Sequence, residues 1–162
     1  MDNHALRVLE FEQIREMLAA CCACSLGKRR ARALRPSQDA AWIADRLKET
    51  TEAREAVGKH GVPPFGGLRD VTELLRKATA GRLLEGEELL HVGDALRAAR
   101  RVRHYFGATP EDEFRRLKAI AEGLQENRDL EERIEKSLDD EGKVRDDASD
   151  ELRSLRRKQA SA

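Results

Sequence analysis

Hydrophobic residues recur three and four positions apart along most of this chain, the spacing that lines one face of an α-helix. Leu6 to Phe11 is short and mixed, a helical turn or an extended lead-in. Phe11, Ile14, Leu18 and Cys21/Cys22 form a first stripe, and Ser25 is placed to cap a second helix running to about Leu34, where Pro36 halts the hydrogen-bond ladder. Asp39 opens a third helix with Ile43, Leu47, Thr50 and Val57 on one face and Gly58 or Gly61 at its end. Val62-Pro63-Pro64-Phe65-Gly66-Gly67 reads as a stiff loop, and Asp70 caps a short helix bearing Val71, Leu74, Leu75 and Ala78 that Gly81 closes. Leu89, Val92, Leu96, Ala99, Val102 and Phe106 make the longest clean stripe. Thr109-Pro110 predicts the next helix start, proline being tolerated in a first turn, with Phe114, Leu117, Ile120 and Leu124 on the buried face. Asn127 caps a further helix carrying Leu130, Ile134 and Leu138.

Asp139 to Ser149 reads as an acidic turn, a short extended piece and a helix start at Ser149, with Leu152 and Leu155 beginning the stripe. No strand-period alternation extends beyond a few residues. The expected fold is therefore all-α, a multi-helix bundle with at most one short β-hairpin near Gly142. The expected domains are a helical core over 1–138 and a turn with an opening helix over 139–162. That last helix has little apolar surface and no C-cap, so the chain reads as the front of a longer protein.

Composition sharpens this picture in two places. Charged residues make up 38% and aromatics only 4% of the 162 residues, a balance suited to long helices rather than sheets. The formal net charge is zero, which gives no bulk argument for nucleic-acid binding, yet the charge is segregated. Lys28, Arg29, Arg30, Arg32 and Arg35 form one acid-free run, and Arg97, Arg100, Arg101 and Arg103 a second. No secretory h-region is visible, and no apolar stretch nears the roughly 20 residues that span a bilayer, so no membrane role is expected. Cys21, Cys22 and Cys24 have no distant partner, which fits a reduced, cytoplasmic setting.

Candidate chemistry is sparse. Gly27-Lys28 suggests the end of a phosphate-binding loop, but Cys22 stands at the first glycine position and Arg29 where a magnesium-binding hydroxyl is required. The three cysteines lack a second ligand pair for zinc. A calcium loop starting at Ser137 would need a glutamate where Ala148 stands. No catalytic, cofactor-binding or metal-ligating residue is assigned. The basic runs need only positive charge on one face to contact a phosphate backbone, which makes Lys28, Arg29, Arg30, Arg32, Arg100, Arg101 and Arg103 the candidate contacts. Trp42 and Tyr105 are too few for base stacking.

Several segments, in order, carry a resemblance. His4-Ala-Leu-Arg-Val-Leu-Glu-Phe11, Ile14-Arg-Glu-Met-Leu18, Ser25-Leu-Gly-Lys28 and Leu34-Arg-Pro36 look like the opening of the type-two branch of the MutS family. Pro63-Pro-Phe-Gly-Gly67, Leu96-Arg-Ala-Ala-Arg-Arg101 and Asp140-Glu-Gly-Lys-Val-Arg-Asp146 continue the match. Family members often have Ser-Ala-Ser-Pro where Asp147-Ala-Ser-Asp150 stands. No Phe-x-Glu mismatch reader occurs, since Phe11, Phe65, Phe106 and Phe114 all lack a glutamate two positions on. The resemblance implies the core and lever region of an ATP-driven, magnesium-dependent homodimer with a coiled-coil clamp. Its members act on DNA or the ribosome and often end in a nuclease domain. It further implies roles in suppressing recombination and rescuing stalled ribosomes, with rRNA binding. No ATPase or nuclease motif lies in these residues, so no catalysis is expected of them. The alternative is a stand-alone helical module that binds nucleic acid or protein through its basic faces.

Overall fold

The computed structural model describes residues 3–160. Among them are nine α-helices and no strand: α1 Asn3–Val8, α2 Phe11–Ala20, α3 Ser25–Arg32, α4 Ala40–His60, α5 Thr72–Thr79, α6 Gly86–Gly107, α7 Arg115–Glu122, α8 Arg128–Ser137 and α9 Asp150–Ala160. The expected all-α class holds. The helices group into two compact units, Met1–Leu68 with Ala98–Gln125, and Arg69–Arg97 with Glu126–Ala162.

In the first unit α2 and α3 form a helical hairpin, and Arg32 Nε donates to Glu16 Oε1 at 2.9 Å across it. Cys24, not Ser25, caps α3, its sulfur accepting from the Gly27 amide at 3.4 Å. The helix ends at Arg32, ahead of the expected Leu34. Asp39 caps α4 as expected, accepting from the Trp42 amide at 3.0 Å, and Gly61 at φ 80° ends it. The core of this unit joins Ala56, Val102, Phe106, Phe114 and Ala121. Ala56 is the buried residue of α4, whereas Leu47 is 61% and Val57 43% exposed, so the expected apolar face is largely uncovered. Tyr105 binds this helix end through its hydroxyl, which donates to Gly61 O at 2.7 Å and lies 3.1 Å from Ala56 O.

Helix α7 departs from expectation. Pro110 does not open it; the Glu113 amide donates to Pro110 O at 3.1 Å in a turn, and the helix begins at Arg115. Phe114 takes a left-handed φ of 52°, which breaks the run while its ring is buried in the core. With no side-chain cap at Phe114, the helix is capped from a distance. Glu52 Oε2 accepts from the amides of Arg116 at 3.0 Å and Leu117 at 3.2 Å. A carboxylate there satisfies otherwise orphaned donors and meets the positive end of the helix dipole.

In the second unit Val92, Ile134 and Leu138 form the core, with Leu74, Leu89 and Leu96 packed around them. Gly93 lets α8 approach α6, since a Cβ there would stand 3.2 Å from Ile134 Cγ2. Asn127 caps α8, accepting from the Leu130 amide at 3.1 Å. Glu131 is only 6% exposed, a buried place the stripe had given to Leu130, and Arg97 Nε sits 3.4 Å from its carboxylate. The expected hairpin is a single antiparallel bridge, Leu138 to Val144, turned by Gly142 at φ 76°. Ser149 caps α9, accepting from the Leu152 amide at 3.1 Å.

Candidate functional site

The first unit carries an apolar groove of about 1110 Å³. It is walled by the α2–α3 joint, the C-terminal half of α4, the loop after it, α6 and α7. Phe65, Val102, Phe106 and Leu117 form part of its lining. Val57, Val62 and Ile120 also line it, at 43, 72 and 56% exposure. Among the described residues Arg29 and Arg30 are the charged members of the lining, and the remainder is apolar, glycine or cysteine.

The candidate phosphate contacts fall on two helices. Lys28, Arg29, Arg30 and Arg32 are exposed on α3, and Arg32 is engaged with Glu16, whose carboxyl it holds below the usual carboxylate range. Arg100, Arg101 and Arg103 lie on α6, where Arg103 donates to Leu124 O at 2.9 Å. Arg29 and Arg30 line the groove and the α6 arginines do not.

A polar cluster closes the end of α4. Lys59 Nζ is 2.7 Å from Glu113 Oε1, and His60 Nε2 is 3.2 Å from Glu113 Oε2. The Lys59 ammonium, then the His60 ring, hold the Glu113 carboxyl below its ordinary value, and Glu113 in turn raises Lys59. His60 and Lys59 also lie against the Phe114 ring, each 5.7 Å from its centroid. These contacts fix the left-handed Phe114 rather than poise a reaction.

The motifs weighed from sequence have structural roles. Gly27 lies in the first turn of α3, where a Cβ would stand 3.3 Å from Cys22 Cβ, so it serves close packing at a helix joint. The three cysteines are free thiols, and no group of three or more His, Cys, Asp or Glu among the described residues is placed to hold a metal ion. Asp139 Oδ1 is engaged by the amides of Glu141 at 3.1 Å and Lys143 at 2.8 Å, which makes it a turn residue. No helix among the described residues is long and apolar enough to cross a membrane. The groove was missed in the sequence because periodicity marks apolar faces without saying which of them find a cover.

No family model matches the chain. It is 35% identical over 162 residues to a protein named endonuclease MutS2 from Pelotomaculum thermopropionicum, covering 100% of this chain and 20% of that relative. The like-named protein of Halothermothrix orenii is 32% identical over 164 residues, covering 97% of this chain and 21% of the relative. That of Geobacillus sp. WCH70 is 35% identical over 158 residues, covering 96% and 20%. The chain thus spans about a fifth of the length of the curated relatives it matches.

Proposed function

The chain is homologous along its whole length to a portion of the MutS2 proteins, and on that premise we propose that it is the core and lever part of such a protein. In this role it couples the nucleotide state of an ATPase region elsewhere in the polypeptide to a clamp that holds DNA or a ribosome. The observation that carries the reading is α6. It is one unbroken helix of 22 residues that contributes Gly86–Arg97 to one compact unit and Ala98–Gly107 to the other. At 1.5 Å per residue such a rod is about 33 Å long. A packed helix shared by two cores is suited to passing a displacement between discrete states. On α3, Lys28 and Arg30 are exposed and place positive charge where a polyanion can meet it.

These residues do not fit a nucleotide or its magnesium. Gly27-Lys28 belongs to a helix joint with Arg29 after it, and no phosphate cradle precedes it. Hydrolysis of ATP, any endonuclease step and the homodimer contact are assigned to the rest of the polypeptide. Suppression of recombination and ribosome rescue are the corresponding cellular roles, in a cytoplasmic protein whose three thiols are free.

The test uses a full-length MutS2 protein with one spin label on a surface position of this portion and one on its ATPase region. The expected result is a shift in the inter-label distance when ATP and magnesium are added. Identical distance distributions with and without nucleotide refute the lever. The stand-alone module instead predicts salt-sensitive affinity of the 162-residue chain itself for duplex DNA. Its carrying observation is the exposure of Lys28, Arg29 and Arg30 along one short helix.

A further inference from the structure

We propose that the apolar groove of the first unit is a docking site for an amphipathic helix with an acidic border, supplied by the part of a MutS2 polypeptide outside the matched fifth. This rests on the homology and not on the lever action.

Size and chemistry argue for a polypeptide. At about 1110 Å³ the groove exceeds the roughly 300–1,000 Å³ of small-molecule pockets. It also lacks the convergent polar groups that orient a small ligand: among the described residues no Ser, Thr, Asn, Gln, His, Asp or Glu lines it. Val57, Val62 and Ile120 come from three separate segments yet expose their side chains into the same depression. Scattered single exposures need no explanation, whereas a contiguous apolar concavity marks a binding surface.

The occupant follows from the walls. The C-terminal half of α4 gives one straight wall through Ala53 and Val57, alongside which a helix can be laid. Arg30 sets the sign of the lip, with Lys28 beside it, so the docked helix carries acids along that edge. A second copy meeting the groove two-fold would bring its own Arg29 and Arg30 to the same lip, which like charges oppose. In the relatives, by contrast, four-fifths of the polypeptide accompanies the matched portion. Tethering presents such a segment at high effective concentration, so even a modest intrinsic affinity closes the groove.

Cys22 and Cys24 line the groove and serve as native reporters. The experiment compares maleimide labelling of these two thiols, read by peptide mass spectrometry, in the 162-residue chain alone and in a chimaera. The chimaera joins the chain in frame to the remaining four-fifths of the Pelotomaculum thermopropionicum relative. Labelling is expected to slow by about tenfold or more in the chimaera, as for other locally protected sites. Val62→Glu and Ile120→Glu, each introduced into the chimaera, are expected to restore the fast rate. Both positions are exposed in the isolated unit, so these variants keep its helicity, which circular dichroism verifies. Equal rates in chain and chimaera overturn the proposal. So does protection that neither glutamate relieves, which would mean cover by contacts outside the groove. Protection in the chain alone that grows with concentration assigns the groove to a second copy and also overturns it. Failure of the lever reading appears separately, in nucleotide-independent spin-label distances, and leaves these rates unchanged.

Discussion

Replacing Glu52 with alanine removes the cap of α7 from a position 64 residues away in the chain. In the parent, one carboxylate oxygen accepts from the Arg116 and Leu117 amides at 3.0 and 3.2 Å, and the other lies 3.4 Å from the Arg116 guanidinium. Loss of a cap costs about 0.5–2 kcal/mol. Loss of a negative charge at a helix N-terminus adds about 0.3–1 kcal/mol. The Arg116 pair is partly exposed and contributes at most about 1 kcal/mol after solvent screening. These terms overlap, so the expected destabilisation is about 1–3 kcal/mol. With a urea m-value of about 1–3 kcal/mol/M, the midpoint falls by about 1 M while m stays unchanged. Urea unfolding followed by far-UV circular dichroism, and by fluorescence of the single Trp42 on α4, measures it. Glu52→Gln keeps one acceptor without the charge and is expected to fall between parent and alanine variant. Glu55→Ala, on the same helix but exposed, controls for helix propensity and is expected to change stability by less than about 0.5 kcal/mol. If Glu52→Ala behaves like Glu55→Ala, the remote cap is not holding α7 and the reasoning is wrong.

Tyr105→Phe removes the hydroxyl that donates to Gly61 O at the end of α4 and is expected to cost about 1 kcal/mol in a urea titration, with no loss of helicity. Gly142→Ala places a Cβ 2.6 Å from the Glu87 amide nitrogen at φ 76°. Its expected cost is about 1–3 kcal/mol, read as selective loss of amide-exchange protection in 126–160. The Glu113 carboxyl is held low by Lys59 and then His60, so its contribution is present above the ordinary carboxylate value of about 4.3 and is lost as pH falls through the lower folded value. Lys59 is raised by Glu113, so its contribution is complete below about 10.4 and is lost as pH rises through the higher folded value. The urea midpoints of parent and Glu113→Gln are therefore expected to differ at neutral pH and to converge in acid. A gap that persists in acid would count against the cluster.

Where the sequence was legible, the cause was local. Asp39, Asn127 and Ser149 open helices because a short oxygen-bearing side chain can reach an amide two or three residues on, whatever lies elsewhere in the fold. Gly61 and Gly142 mark their turns because left-handed backbone favours glycine. Legibility failed where distant contacts decided. Pro110 carries a helix-start signal, yet the burial of Phe114 in a left-handed conformation and the remote carboxylate of Glu52 move the start to Arg115. Cys24 serves as a cap through a thiol that cap preferences do not rank. Glu131 is buried because Arg97 faces it, which no apolar stripe reveals.

The two units satisfy their apolar faces differently, and that difference bears on function. The second unit brings its core together by near approaches of backbone and small residues. Gly93 admits Ile134, and the carbonyl of Gly142 sits where a side chain on Gly86 would be. Its packing covers Val92, Ile134 and Leu138 and leaves Leu75, Leu83 and Leu155 exposed. The first unit covers Ala56, Val102 and Phe106, yet leaves Val57, Val62 and Ile120 facing an apolar groove. A periodic apolar face is selected for burial, so an uncovered one specifies a contact beyond the helices that display it. Homology to a fifth of much longer proteins supplies a source for that contact. Of the α4 stripe Ile43, Leu47, Thr50 and Val57, only Val57 lines the groove. Glu52 holds α7, and with it Ile120, at the groove wall. Glu52→Ala is therefore expected to weaken the protection of Cys22 and Cys24 in the chimaera as well as the stability of the unit. Glu55→Ala, which leaves α7 capped, is expected to change neither.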